Sequence, residues 1–144
     1  MTKQLKYRQD RSYNSNHLWV KETESGELIV GMDELGLDSM GELAYLTLPQ
    51  LGSELQKATA MGSIEAAKMT GELIAPASGV VSEINTEILK NPLMVNEDPY
   101  VKGWLLKIQP TNWNSESKSL FSGDNLQAWW EAETIRFETQ GSLD

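Results

Sequence analysis

Short runs of strand type recur along the chain from about residue 17 to residue 110, and each is closed by glycine, proline or a cluster of polar turn residues. β-Branched and aromatic residues between such turns are typical of strands. The clearest runs cover residues 17–20, 28–32, 41–48, 79–85 and 104–108. Many short strands joined by tight turns predict a β-sandwich or a flattened barrel, with any helices at its margins.

One run is interrupted by a lysine. Residues 62–79 read G-S-I-E-A-A-K-M-T-G-E-L-I-A-P-A-S-G, with apolar positions of extended pattern on both sides of Lys68 and a Thr-Gly pair after it. This pattern predicts a β-hairpin with Lys68 at or beside its tip. The small residues Ala66 and Ala67 leave the amine accessible to a modifying enzyme, although a solvated lysine in a turn is the simpler interpretation.

Helices are predicted only between and after the strands. Asp33 can cap one or two turns over residues 33–40, which Gly36 would interrupt, and residues 86–91 suit a short helix. Leu126, Trp129, Trp130 and Phe137 recur at helical spacing and predict a C-terminal helix at about 123–138. Residues 1–16 are a polar lead-in that we expect to be partly mobile.

Composition excludes several classes of function. The chain has 144 residues, enough for one hydrophobic core, so we expect a single domain over residues 1–144, with its core at 17–110 and a helical extension at 111–144. A net charge of −9 argues against partners such as nucleic acid and anionic membranes. There is no cysteine and no apolar run of the roughly 18 residues that a membrane span needs. The N-terminal residues have no apolar stretch behind their lysines, so we expect no signal peptide. A cytoplasmic protein is the expectation.

Catalytic patterns are missing. The single histidine, His17, has no cysteine or second histidine near it, so we expect a structural or surface role and no metal site. No nucleophile–base pattern or glycine-rich phosphate loop is present, and Glu97-Asp98-Pro99-Tyr100 suits a turn with a capping carboxylate. The residues indicate a protein without an active site of its own.

An ordered set of motifs, however, resembles one known family. Residues 17–20 (H-L-W-V) are similar to H-E-W-V, residues 62–68 (G-S-I-E-A-A-K) to G-S-V-E-S-V-K, and residues 95–100 (V-N-E-D-P-Y) to V-N-x-D-P-Y. Further matches follow in the same order at residues 30–32, 41–43, 46–49, 76–81, 84–85, 91–92, 103–105 and 107–110. Together they resemble the H protein of the glycine cleavage system.

The resemblance implies a flattened barrel of two sheets, of the lipoyl-domain (barrel-sandwich hybrid) type. It implies that Lys68 matches the lysine to which a lipoate ligase or lipoyl transferase attaches lipoate. Glu65 matches a family glutamate, which we assign to recognition by that enzyme. A solvent-facing strand residue without such a role is an equally good interpretation of Glu65. It implies a non-catalytic carrier whose arm moves between dihydrolipoamide dehydrogenase and the T-type and P-type proteins.

Three positions where the arm would rest depart from the family. Asn16 replaces a serine, Leu18 replaces the H-E-W glutamate, and Glu72 stands near the place of an aspartate that follows the lysine. Loss of a charged partner for a sequestered amine costs about 1–3 kcal/mol. The departures weaken the case for an aminomethyl cargo.

Other functions therefore remain open. One alternative is the lipoate-binding protein of a heterodisulfide-reductase-like sulfur-oxidation complex, whose dihydrolipoyl arm carries sulfur. Less favoured are a biotin carrier, since Lys68-Met69 is half of a Met-Lys-Met acceptor, and an unmodified scaffold or relay protein. The adjacent Trp129 and Trp130 are expected to pack on the barrel or, alternatively, to form an exposed anchor, because neighbours on a helix cannot both point straight inward.

Overall fold

The computed structural model describes residues 4–143, so the first part of the predicted mobile lead-in, residues 1–3, lies outside the described residues. Within the described range, nine strands form two antiparallel sheets: β1 (Ser12–Tyr13), β2 (Leu18–Glu22), β3 (Leu28–Met32), β4 (Leu43–Thr47), β5 (Glu54–Leu55), β6 (Ala60–Ala66), β7 (Thr70–Ile74), β8 (Gly79–Ile84) and β9 (Leu106–Pro110). One sheet has the order β1-β2-β3-β9-β8-β5 and the other the order β4-β6-β7. The predicted flattened barrel of two sheets is confirmed.

The main core takes its side chains from both sheets. Apolar residues that alternate with exposed ones along the strands turn inward, as the period of a pleated strand requires. Fully or nearly fully buried members include Val20, Val30, Leu46, Ile64, Leu73, Val81, Leu106 and Ile108. This shared burial is what joins the two sheets into one body.

Five α-helices lie at the margins of the sheets within residues 4–143: α1 (Glu34–Met40), α2 (Thr86–Lys90), α3 (Leu93–Glu97), α4 (Trp113–Glu116) and α5 (Leu126–Thr139). The predicted cap of α1 is confirmed, because the Asp33 side chain accepts a hydrogen bond from the Gly36 amide at 2.8 Å. The predicted interruption at Gly36 is wrong. A Cβ at that position would lie 2.7 Å from the His17 Cβ, so this glycine lets α1 pack closely on the barrel instead of ending it.

The predicted C-terminal helix is confirmed as α5, which begins after a turn of 3₁₀-helix at Gly123–Asn125. The sequence did not predict α3 or the short strand β1, which pairs with β2. A second hydrophobic cluster, built around the buried Tyr13, Trp19, Tyr100 and Leu126, lies beside the main core. No helix in the described part of the chain is long and apolar enough to cross a membrane.

Candidate functional site

Lys68 lies at the tip of the hairpin formed by β6 and β7. The two strands pair in antiparallel register from Ala60 opposite Ile74 to Glu65 opposite Thr70. The tip is closed by the Ala66 amide, which donates to the Met69 carbonyl at 3.0 Å. The predicted hairpin is therefore present, and its lysine is an exposed residue.

The tip is held in place by the end of α1. The amides of Ala67 and Lys68 donate to the carbonyls of Glu42 and Met40, each at 2.9 Å. Between these two acceptors Gly41 has a φ of +86°, which favours glycine. A Cβ there would lie 3.2 Å from the Ala67 Cβ and 3.3 Å from the Lys68 Cγ. Gly41 thus allows helix and hairpin to meet beside Lys68.

The amine of Lys68 bridges two distant parts of the chain. Its Nζ donates to the carbonyl of Asp38 at 3.0 Å and to the carbonyl of Ser142 at 3.1 Å. The first acceptor belongs to the last turn of α1, where helix carbonyls have no partner within the helix. The second belongs to the segment that follows α5. The lysine is accessible but already engaged.

Glu65 lies three residues before Lys68 on the outer face of the three-stranded sheet. It is exposed, and it stands in register between Tyr45 on β4 and Thr70 on β7. Tyr45 is 59% exposed, so an aromatic ring and a carboxylate share the surface next to the hairpin tip.

The three departures from the family occupy different environments. Asn16 is exposed in the turn before β2, where its backbone N–H donates to the Asn14 Oδ1 at 3.0 Å, and Glu72 is exposed on β7 opposite Ser63. Leu18 is only 1% exposed and packs in the main core. Its side chain therefore adds apolar packing to the interior and no polar group to the surface.

His17 holds α5 against the barrel. Its two ring nitrogens lie 2.8 Å from carboxylate oxygens of Asp33 and Glu133, and its ring stacks on Trp129 with centroids 4.9 Å apart. The imidazolium, in which both ring nitrogens are donors, satisfies both contacts at once. Burial acts to lower the pKa of His17, but the charge and hydrogen bonds of the two carboxylates outweigh it, so the pKa is raised.

We call His17, Asp33, Trp129, Glu133 and Phe137 the C-terminal seam. The predicted structural role of His17 is confirmed, but its partners were missed, since nothing local links residue 17 to residue 133. Trp130 is buried and Trp129 half-buried; the Trp129 ring stacks on Phe121 with centroids 4.6 Å apart. Both tryptophans pack on the barrel, as the first of the two interpretations predicted.

The chain is similar to proteins of one family over most of its length. The profile of the family described as Glycine cleavage H-protein matches residues 11–133. The glycine cleavage system H protein of Oceanobacillus iheyensis is 39% identical over 121 residues, which cover 84% of this chain and 94% of the relative. That of Legionella pneumophila is 36% identical over 118 residues, covering 82% and 93%.

A solved structure gives the same result. The crystal structure of a glycine cleavage system H protein from Mycobacterium marinum superposes with a TM-score of 0.70 at 34% identity, over 73% of this chain and 87% of that one. The residues matched by the family profile include both sheets and the β6–β7 hairpin that carries Lys68. The chain belongs to the glycine cleavage H-protein family.

Proposed function

We propose that this protein is a lipoate-bearing carrier and that lipoate is attached to the Nζ of Lys68. The observation that carries the proposal is the exposed lysine at the tip of a hairpin that α1 holds in a fixed position. An exposed amine on a rigid turn fits amide formation, because an enzyme can reach it without unfolding a strand. Membership of the H-protein family supports the same lysine.

The attached group would supply the redox sulfurs that a chain without cysteine lacks. The protein supplies the anchor, and the partners would be dihydrolipoamide dehydrogenase and the T-type and P-type proteins of glycine cleavage. Tethering makes each encounter quasi-intramolecular, with an effective concentration of about millimolar order for a short flexible arm. The chain thus acts as a non-catalytic carrier.

Attachment at Lys68 is tested by incubating the full chain with a lipoate ligase, lipoate and ATP, followed by intact mass and peptide mapping. We expect one lipoyl group, located on Lys68. Lys68→Arg should abolish the mass gain, whereas Lys90→Arg, at an exposed lysine on α2, should leave it unchanged. A lipoyl group on another lysine, or none in the wild type, would refute the proposal.

Glu65 is proposed to contact the lipoate ligase or lipoyl transferase, since its exposed carboxylate lies on the surface beside the acceptor. Glu65→Gln removes one charge and should slow modification several-fold, by an amount typical of a lost exposed ion pair. The matched control is Glu54→Gln, an exposed carboxylate on β5 in the other sheet. Equal modification rates for the two variants would exclude this role for Glu65.

A second candidate is the lipoate-binding protein of a sulfur-oxidation complex, and the burial of Leu18 favours it. A surface carboxylate would pair with a loaded amine, but the side chain at this position lies in the core, while a sulfur cargo needs no such partner. Reconstitution of the lipoylated chain with P-type and T-type proteins separates the two. Turnover that depends on glycine would support the aminomethyl carrier. No such turnover, together with sulfur bound to the reduced lipoyl arm, would support the sulfur-oxidation alternative.

A further inference from the structure

The end of the chain folds back toward Lys68. After α5, the Gly141 amide donates to the Glu138 carbonyl and the Ser142 amide to the Phe137 carbonyl at 2.9 Å, with Gly141 at a φ of +72°. This pair of hydrogen bonds is the Schellman motif, which reverses the chain direction at a helix end. The residues that do this lie beyond residue 133, where the match to the family profile stops.

The reversed segment reaches the acceptor amine. The Ser142 carbonyl accepts a hydrogen bond from the Lys68 Nζ, and the next residue, Leu143, lines an open groove of about 650 Å³ together with Leu5, Trp130 and Ile135. The segment is thus joined to the hairpin by a polar contact at the lysine, while Leu143 lines a groove between α5 and Leu5. We call the reversed segment 141–143, with its Ser142 carbonyl bound to the Lys68 Nζ, the C-terminal latch.

We propose that acylation of Lys68 opens the C-terminal latch, so that the segment after α5 reports whether the carrier is loaded with its arm. The proposal rests on the proposed function for the acylation itself. There, the neutral amine attacks the carbonyl carbon of an acyl adenylate, a C–N bond forms, and AMP leaves with the electron pair of the broken C–O bond. The ammonium of Lys68 loses two protons in all.

The change in hydrogen-bonding capacity opens the contact. An ammonium has three N–H donors, whereas a secondary amide has one and is planar. The amine now donates to two carbonyls, those of Asp38 and Ser142, from one nitrogen. After acylation one N–H remains, and the acyl carbon occupies a direction that a donor used before. At least one of the two contacts must be lost.

The contact that yields is the one to Ser142. The Asp38 carbonyl belongs to α1, whose end is joined to the hairpin tip by the Lys68 amide and the Met40 carbonyl. Ser142 lies after the end of the last helix, and its own amide donates back to that helix, at the Phe137 carbonyl. Within α5, Glu133 and Phe137 remain held by His17, so the release is confined to the residues after Phe137.

Hydrogen–deuterium exchange on the full chain tests the latch without any ligase. Lys68→Met removes the ammonium, and amides in residues 138–143 should then exchange about twofold to fivefold faster, the range for an exposed ionic contact. Lys68→Arg, which keeps a cationic donor, should retain more protection, and Lys90→Met should match the wild type. Equal exchange in Lys68→Met and wild type would overturn the proposal.

A second measurement follows the modification rate. Gly141→Ala places a Cβ at a φ of +72° and disfavours the reversal that brings Ser142 to Lys68. Lipoylation of Lys68 should become about twofold to fivefold faster. Gly26→Ala, equally strained at a φ of +87° in the turn between β2 and β3, is the matched control and should have no effect. Equal rates in the two glycine variants would count against the latch.

The two proposals fail separately. If Lys68 takes up no lipoyl group, the proposed function is wrong, and the exchange result for Lys68→Met still decides whether the latch exists. If Lys68 is lipoylated but residues 138–143 exchange alike before and after modification, the carrier function stands and the latch is refuted.

Discussion

The main core and the C-terminal seam are stabilised in different ways. The core consists mainly of aliphatic side chains from the two sheets and the helices beside them, and its residues gain stability from burial without needing a particular partner. The seam depends on specific pairs, because the His17 imidazolium needs both Asp33 and Glu133 at 2.8 Å. A region stabilised by non-directional burial tolerates apolar substitutions of similar volume, whereas a region stabilised by buried charges does not tolerate the loss of one partner.

The difference is also one of distance along the chain. Strands that pair with near neighbours in sequence, such as β2 with β3 and β6 with β7, form most of the barrel. The seam joins residue 17 to residue 133, and Glu133 is held in place by Arg136 one helical turn later. We expect the stability of the seam to depend on side-chain charge and on pH. The stability of the core should depend on side-chain volume.

The largest effect is expected from a truncation in the core. Leu106 is completely buried on β9, so Leu106→Ala removes apolar packing and leaves a cavity that should cost about 2–5 kcal/mol in the free energy of unfolding. This free energy is measured by guanidinium denaturation, with tryptophan fluorescence as the probe of unfolding. Leu51→Ala, at a residue 67% exposed, is the control and should change little. A cost for Leu106→Ala below that of a seam variant would reverse the comparison.

A smaller loss is expected from the seam. His17 has a φ of +66°, a conformation that asparagine tolerates, so His17→Asn removes the imidazole without adding backbone strain. Asp33 and Glu133 then lose a shared donor, which should cost about 1–3 kcal/mol in the free energy of unfolding. Exchange of α5 amides should rise while that of the β6 and β7 amides stays unchanged. Equal acceleration in both regions would mean that the seam is not a separate unit.

The smallest effect is a pH dependence confined to the seam. The pKa of His17 is raised above its ordinary 6.5, so its contribution to stability is complete below that value and is lost as the pH rises through the folded-state pKa. The Arg136 hydrogen bond, and then the one from His17, hold the pKa of Glu133 below its ordinary 4.5. The Glu133 contribution is therefore present above pH 4.5 and lost as the pH falls through its lower folded-state pKa.

The difference in unfolding free energy between wild type and His17→Asn should thus be greatest between pH 4.5 and 6.5 and decline on either side. Chemical denaturation at a series of pH values measures it. A difference that stays constant to alkaline pH would show that the imidazole packs without donating two ionic hydrogen bonds.

Local patterns predicted most of the fold and one part of the site. The Lys68 hairpin and the Asp33 cap are each encoded within a few residues, by turn formers and by a capping side chain. Glu133 and Ser142 could not be predicted, since their partners His17 and Lys68 lie 116 and 74 residues away. Gly36 was misread for a related reason, because its missing side chain matters only once His17 lies beside it.

The glycine at position 41 has a mechanical consequence for a tethered group. Because α1 and the hairpin touch there, the root of any arm on Lys68 is stationary relative to the barrel. An arm with a stationary root explores only the volume set by its own length, while one on a mobile loop also explores the movement of the loop. The smaller volume raises the local concentration at each docking site. A side chain at position 41 would press on Ala67 and Lys68, separate the hairpin tip from α1 and so lower that concentration.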